Sequence, residues 1–153
     1  MSDTKRSQWT EADFDQLCWH DNAVHALRIV EGDYGAGELL LDIDYIVEWQ
    51  RVDSGRVVFR IAPATLAFRD VTNLKIALDY ETPTAGLTPF ALDRIERRRE
   101  QRDRYEALLW ALVVNWPIGS ITFEAKGFRQ FLRGPAVLSS EQKLSSEARG
   151  NGA

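Results

Sequence analysis

The sequence predicts a mainly β domain of the α+β kind. The expected form is an antiparallel sheet curled into a sandwich or open barrel, with a short N-terminal helix and one inserted charged helix. Three observations carry this. Apolar and polar residues alternate along "ELLLDIDYIVEWQRV" (38–52), the two-residue period of a strand with one buried face. Short breaks such as "DSG" and "PIG" part the apolar runs, and connections that short join antiparallel neighbours. One block, "FALDRIERRREQRDRYEA" (90–107), is densely charged and free of Gly and Pro, a composition that favours an exposed helix.

Residues 1–9 are polar and are expected to be flexible. Thr10 and Asp13 have the spacing of a capping box, with Asp in place of the usual Glu. Phe14, Leu17 and Cys18 then follow helical spacing, so a short helix is expected over 11–18. "AVHALRIVE" (23–31) leads into the glycine-marked turn "GDYGAG". In the alternating segment, Leu39, Leu41, Ile43, Tyr45, Val47 and Trp49 share the face expected to be buried. Asp42, Asp44, Glu48 and Gln50 share the other. "DSG" (53–55) signals a hairpin, and "RVVFRIA" returns with Val57, Phe59 and Ile61 inward until Pro63 interrupts it. "ATLAFRDV" and "NLKIALDYE" read as further strands, and "TPTAGLTP" (82–89) as a loop. After the charged block, "YEALLWALVVNW" (105–116) reads as a buried strand with Trp110 and Trp116 in register with Leu112 and Val114, although its length also allows a helix. "PIG" (117–119) is a turn, and "SITFEAKGFRQFL" is the last strand. The expected single domain covers 10–138, and the polar tail 139–153 is expected to be flexible.

The net charge of −4 and a pI near 5.2 argue against nucleic-acid binding, which calls for a strong basic field. Cys18 is the single cysteine, so no intrachain disulfide forms, and a reducing compartment fits. The first residues contain no apolar run of the secretory kind. The apolar run "ALLWALVV" falls far short of the ~20 residues of a membrane helix. The expectation is a cytoplasmic protein with no membrane or nucleic-acid partner and no cofactor. Its oligomeric state is left open.

"WHDNAVH", "LDIDYIVEW", "APATLAF" and "NWPIGSITFEAKGF" resemble strings shared by a family of small bacterial proteins that is itself uncharacterised. The likeness runs over most of residues 19–128. It implies a bacterial, cytosolic protein and brings no catalytic assignment, because that family has no established activity. In size, acidity and β content the chain also resembles toxin-immunity proteins, without a shared motif.

Six residues form the candidate polar cluster: His20, Asp21, His25, Asp42, Asp44 and Glu48. His20 and His25 lie five apart, so they face opposite sides of a continuous strand. They converge only if the chain turns at "HDN", where Asp and Asn favour turns. The plain reading of each is a packed or solvated framework residue. Asp42 and Asp44 stand ~6.6–6.8 Å apart along one strand face, close enough to meet a cation or a basic partner. The arginine run "RIERRREQRDR" reads first as a solvated helix with Asp93–Arg97 and Glu100–Arg104 pairs, then as a protein contact, and last as an RNA or phosphate patch.

There is no phosphate-binding glycine loop, HExxH, CxxC or GxSxG motif. No catalytic residues are assigned and no metal is expected. The leading expectation is a non-enzymatic interaction protein, immunity-like in one version, whose acidic sheet face holds a protein partner. The alternative is a metal-assisted hydrolase built on His20, Asp21, His25, Asp42 and Asp44. A third is a small-ligand cavity lined by Trp and Phe inside an open barrel.

Overall fold

The computed structural model describes residues 6–52, 55–81, 86–145, 147 and 149. Nine strands form one antiparallel sheet: β1 (Gln8–Thr10), β2 (Ala23–Val30), β3 (Gly37–Arg51), β4 (Val57–Leu78), β5 (Phe90–Gln101), β6 (Glu106–Trp116), β7 (Gly119–Glu124), β8 (Gly127–Leu132) and β9 (Val137–Ser139). Two 3₁₀ turns, Glu11–Gln16 and Asp33–Gly35, accompany them.

β4 organises the sheet. One edge pairs with β3 from Val57 to Val71. The other edge receives β7, β8 and β9 in succession, from Leu78 opposite Gly119 down to Phe59 opposite Ser139. A strand this long must bend to serve so many neighbours. Its bend falls where Asp70 and Asn73 take left-handed φ values of 54° and 57° and the β7 register shifts. Asp and Asn tolerate that conformation better than other non-glycine residues, and such irregularities increase strand twist. The pairings then run β4–β3–β2–β5–β6–β7 and return to β4. The β2–β5 junction has only two residue pairs, Ala23–Ala91 and Val24–Phe90, so the ring is weakly joined there and the architecture is one curled sheet.

The concave side holds the core. Leu39, Leu41 and Ile43 of β3 meet Leu66 and Phe68 of β4, Trp110 and Leu112 of β6, and Ile121 of β7, all essentially buried. Full burial of one such side chain stabilises by about 1.5–3 kcal/mol. Aromatic rings pack together in this core: Phe68–Trp110 centroids lie 5.1 Å apart and Phe14–Phe128 5.8 Å. The 3₁₀ turn at Glu11–Gln16 brings Phe14 there. Asp13 Oδ2 accepts from the Thr10 amide at 2.9 Å, the half of the capping box that orients the turn.

The charged block is not a helix. Residues 90–101 form β5, and the segment expected to be one helix through 107 turns back into β6. The reason is tertiary. β6 presents Trp110, Leu112 and Val114 to the core, and β5 supplies Phe90, Leu92 and Ile95 beside them. Backbone pairing along this apolar hairpin outweighs the helix propensity of Arg and Glu. The charges then pair at strand spacing, Arg94–Glu96 at 3.2 Å and Arg98–Glu100 at 3.7 Å, and across the hairpin, Arg99–Glu106 at 2.9 Å.

Two tryptophans expected inside lie outside. A β-bulge between Ile46 and Glu48 adds one residue to β3. It inverts the faces beyond that point, so Trp49 meets Phe59 edge to face on the convex side and is 53% exposed. Trp116 is also half-exposed, at the end of β6.

The terminal segments are more engaged than their polarity suggested. Gln8–Thr10 pairs with β8, and Ser139 ends β9 on β4. Beyond it, Leu144 is buried against Ile46, Phe59 and Ile61. Residues 1–5, 146, 148 and 150–153, two residues of the "DSG" turn (53–54) and the middle of the 82–89 loop (82–85) lie outside the described residues. Among the described residues, no helix is long and apolar enough to cross a membrane.

Candidate functional site

The candidate residues fall into two neighbouring groups, with Glu48 apart from both. The first group is the corner "WHD". Asp21 takes a left-handed φ of 65°, which turns the chain between the 3₁₀ region and β2. Its amide donates to the Leu92 carbonyl at 2.7 Å. Its carboxylate accepts from Asn115 Nδ2 at 2.8 Å and from Gln142 Nε2 at 2.9 Å. His20 lies half-exposed between Asp21, 3.1 Å away, and Asp93, 3.5 Å away. Beneath them Trp19 is buried, its indole N–H donating to Gln130 Oε1 at 2.7 Å. Tyr45 lies against Cys18 and Gln130, and burial pushes its phenol above the usual range. In this corner Asp21 completes the turn and Gln130 anchors the buried Trp19 ring, while His20 stays at the surface between two carboxylates.

The second group lies on the convex face of β2 and β3. No bulge separates Asp42 from Asp44, so strand alternation keeps both on that face. The register of β2 against β3 shifts between Val24 and Ala26. This bulge turns His25 off the apolar face and towards Asp44, with Nε2 2.6 Å from Oδ2. Asp44 is fully buried, on the face where Ile46, Phe59 and Ile61 are buried too. The chain's own C-terminal segment covers it. The Leu144 amide donates to Asp44 Oδ2 at 2.8 Å. The Arg149 guanidinium bonds Asp44 Oδ1 through Nη1 and Asp42 Oδ1 through Nη2. Arg133 Nη2 also bonds Asp42 Oδ1.

This second group holds a guanidinium of its own chain. Two carboxylates on one rigid strand span the two terminal nitrogens of a guanidinium. Such charge-assisted bonds are the strong class, and arginine's planar fork suits them. Burying Asp44 costs several kcal/mol unless it is paired. His25, the Leu144 amide and Arg149 together satisfy it.

Glu48 does not join this site. The Ile46/Glu48 bulge shifts it to the opposite face, where it accepts from Gln50 at 2.5 Å and Arg60 at 3.4 Å. Among the described residues, no three His, Cys, Asp or Glu side chains are grouped so that they could hold a metal ion. The sequence reading missed Arg133, Arg149, Leu144 and Gln142. The one hint was a lone Leu in an otherwise polar tail.

A groove of about 450 Å³ opens elsewhere, across β5, β6, β7 and the end of β4. Leu109 and Ala111 line it together with Lys75, Arg98, Glu100 and Arg102. It has no residue in common with the acidic site, and its charges largely pair with one another: Arg98 and Arg102 with Glu100, and Arg102 also with Glu124.

The chain matches no protein-family model and no curated protein.

Proposed function

We propose that the protein is a non-enzymatic interaction module, built on an open-barrel sheet, whose acidic β3 face holds an arginine-bearing protein partner. The observation that carries this is the guanidinium of Arg149 seated across Asp42 and Asp44, with His25 behind Asp44. Such a face recognises a guanidinium by fit as well as by charge. The acidic balance of the chain steers basic partners towards it. An immunity-like role, in which the face masks a basic surface of another protein, is one form of this function. The exposed, unpaired Cys18 is compatible with a reducing, cytoplasmic setting.

The test is chemical rescue. In full-length Arg149→Ala, millimolar methylguanidinium should raise the thermal midpoint relative to its effect on the wild type, because a ligand of the folded state stabilises it. Methylammonium at the same concentration should do less, since it lacks the fork. Equal effects of both cations on both proteins would remove the guanidinium site.

A further inference from the structure

We infer that Gln142, Leu144 and Arg149 of the C-terminal segment are an intramolecular stand-in for that partner, and that the partner presents a segment with a leucine-like residue followed five positions later by arginine. The inference rests on the reading of β3 as a guanidinium-binding face.

Three separate anchors lie along the segment. Gln142 donates to Asp21. Leu144 fills an apolar patch made by Ile46, Phe59 and Ile61 while its amide reaches Asp44. Arg149 closes on Asp42 and Asp44. Between these anchors the described residues join no strand, the Arg149 amide donates to the Ser145 carbonyl at 3.0 Å, and "SSEQKLSSEAR" is otherwise polar. It therefore leans on a preformed surface instead of contributing an element to the fold. Segments with so little buried apolar area are the ones that open locally at low cost. The surface beneath is a paired ladder: Asp44 and Ile46 sit on β3, Phe59 and Ile61 on β4, and β4 pairs along nearly the whole of β3.

This arrangement is an autoinhibitory latch. A tethered segment competes at an effective concentration in the millimolar range, so a free segment binds weakly while the latch is closed. A partner with the same spacing and better contacts displaces it. The released tail would then leave the Asp21 corner and the apolar patch open together.

The experiment uses full-length protein and a fluorescein-labelled peptide, SSEQKLSSEARG, corresponding to residues 139–150. Binding is compared between wild type and a Leu144→Ser/Arg149→Ala variant, whose own tail can no longer hold the site. The latch predicts binding at least tenfold tighter to the variant, and loss of that binding when the peptide arginine is replaced by alanine. Equal affinity for both proteins overturns the inference, as does absence of binding to a variant that still melts cooperatively. If the double variant does not fold, Arg149→Ala alone serves in the same comparison. Rescue by methylguanidinium without peptide discrimination leaves the guanidinium site standing and removes the latch, whereas no rescue removes both. A wild-type dimer that the double variant loses would assign the tail to a second copy and overturn the intramolecular latch.

Discussion

Asp44 is buried by residues that join the site from 19 to 105 positions away: His25 on β2, and Leu144 and Arg149 from the tail. A carboxylate in that position is stabilising only while its partners remain. Truncating Asp44 to Ala should lower unfolding stability by about 1–3 kcal/mol. The loss stays below the 3–5 kcal/mol typical of a broken buried pair because Arg149 can swing into water with its tail. Glu48→Ala, at an exposed ion pair, should change stability by no more than about 0.5 kcal/mol. Denaturant titrations of the two variants check the contrast. Asp13 gives a pH signature. The Thr10 amide, and then the Arg6 side chain, hold its carboxyl below the usual value. A depressed folded-state value means its contribution is present above the unfolded value of ~3.9 and fades as pH falls through the lower folded one. Wild type should therefore lose more stability than Asp13→Asn across that acidic window. Asp42 and Asp44 could be assigned to one face from the sequence because no irregularity separates them. Glu48 and His25 could not, since each sits beside a bulge that spacing does not reveal.

At the scale of elements, alternation identified β3 and the Trp110–Val114 part of β6; it found the start of β4, but Phe59 and Ile61 pack under Leu144 outside the main core and the strand runs on through Pro63. It misassigned β5. Six arginines among glutamates read as a helix surface because helix propensity and charge were the only local signals. The deciding partner, the apolar face of β6, is long-range in effect though adjacent in sequence. Arg98→Thr exchanges a good helix former for a good strand former on the exposed side of β5. The strand assignment predicts an unchanged or raised unfolding midpoint, which a thermal melt reads directly. The junction of β4 and β7 makes a sterner demand. Gly119 faces Leu78, and a Cβ there would collide with the Ala77 carbonyl. Gly119→Ala should cost about 1–3 kcal/mol, the range of overpacking, in the same assay.

Across the whole molecule, the sheet curls because β4 is long enough to take β3 on one edge and β7, β8 and β9 on the other. That topology leaves the convex face of β3 and β4 uncovered by any further layer, and the tail occupies part of it. Local pattern could not foretell this, since nothing near residues 139–149 names Asp44 as their partner. The most direct measurement is a double-mutant cycle on unfolding free energy with Asp44→Ala, Arg149→Ala and the double variant, all full length. Direct contact predicts a coupling within the range of about 0.5–3 kcal/mol seen for interacting residues. Strictly additive losses would contradict the seating of Arg149 on Asp44, and with it the acidic face as a guanidinium site.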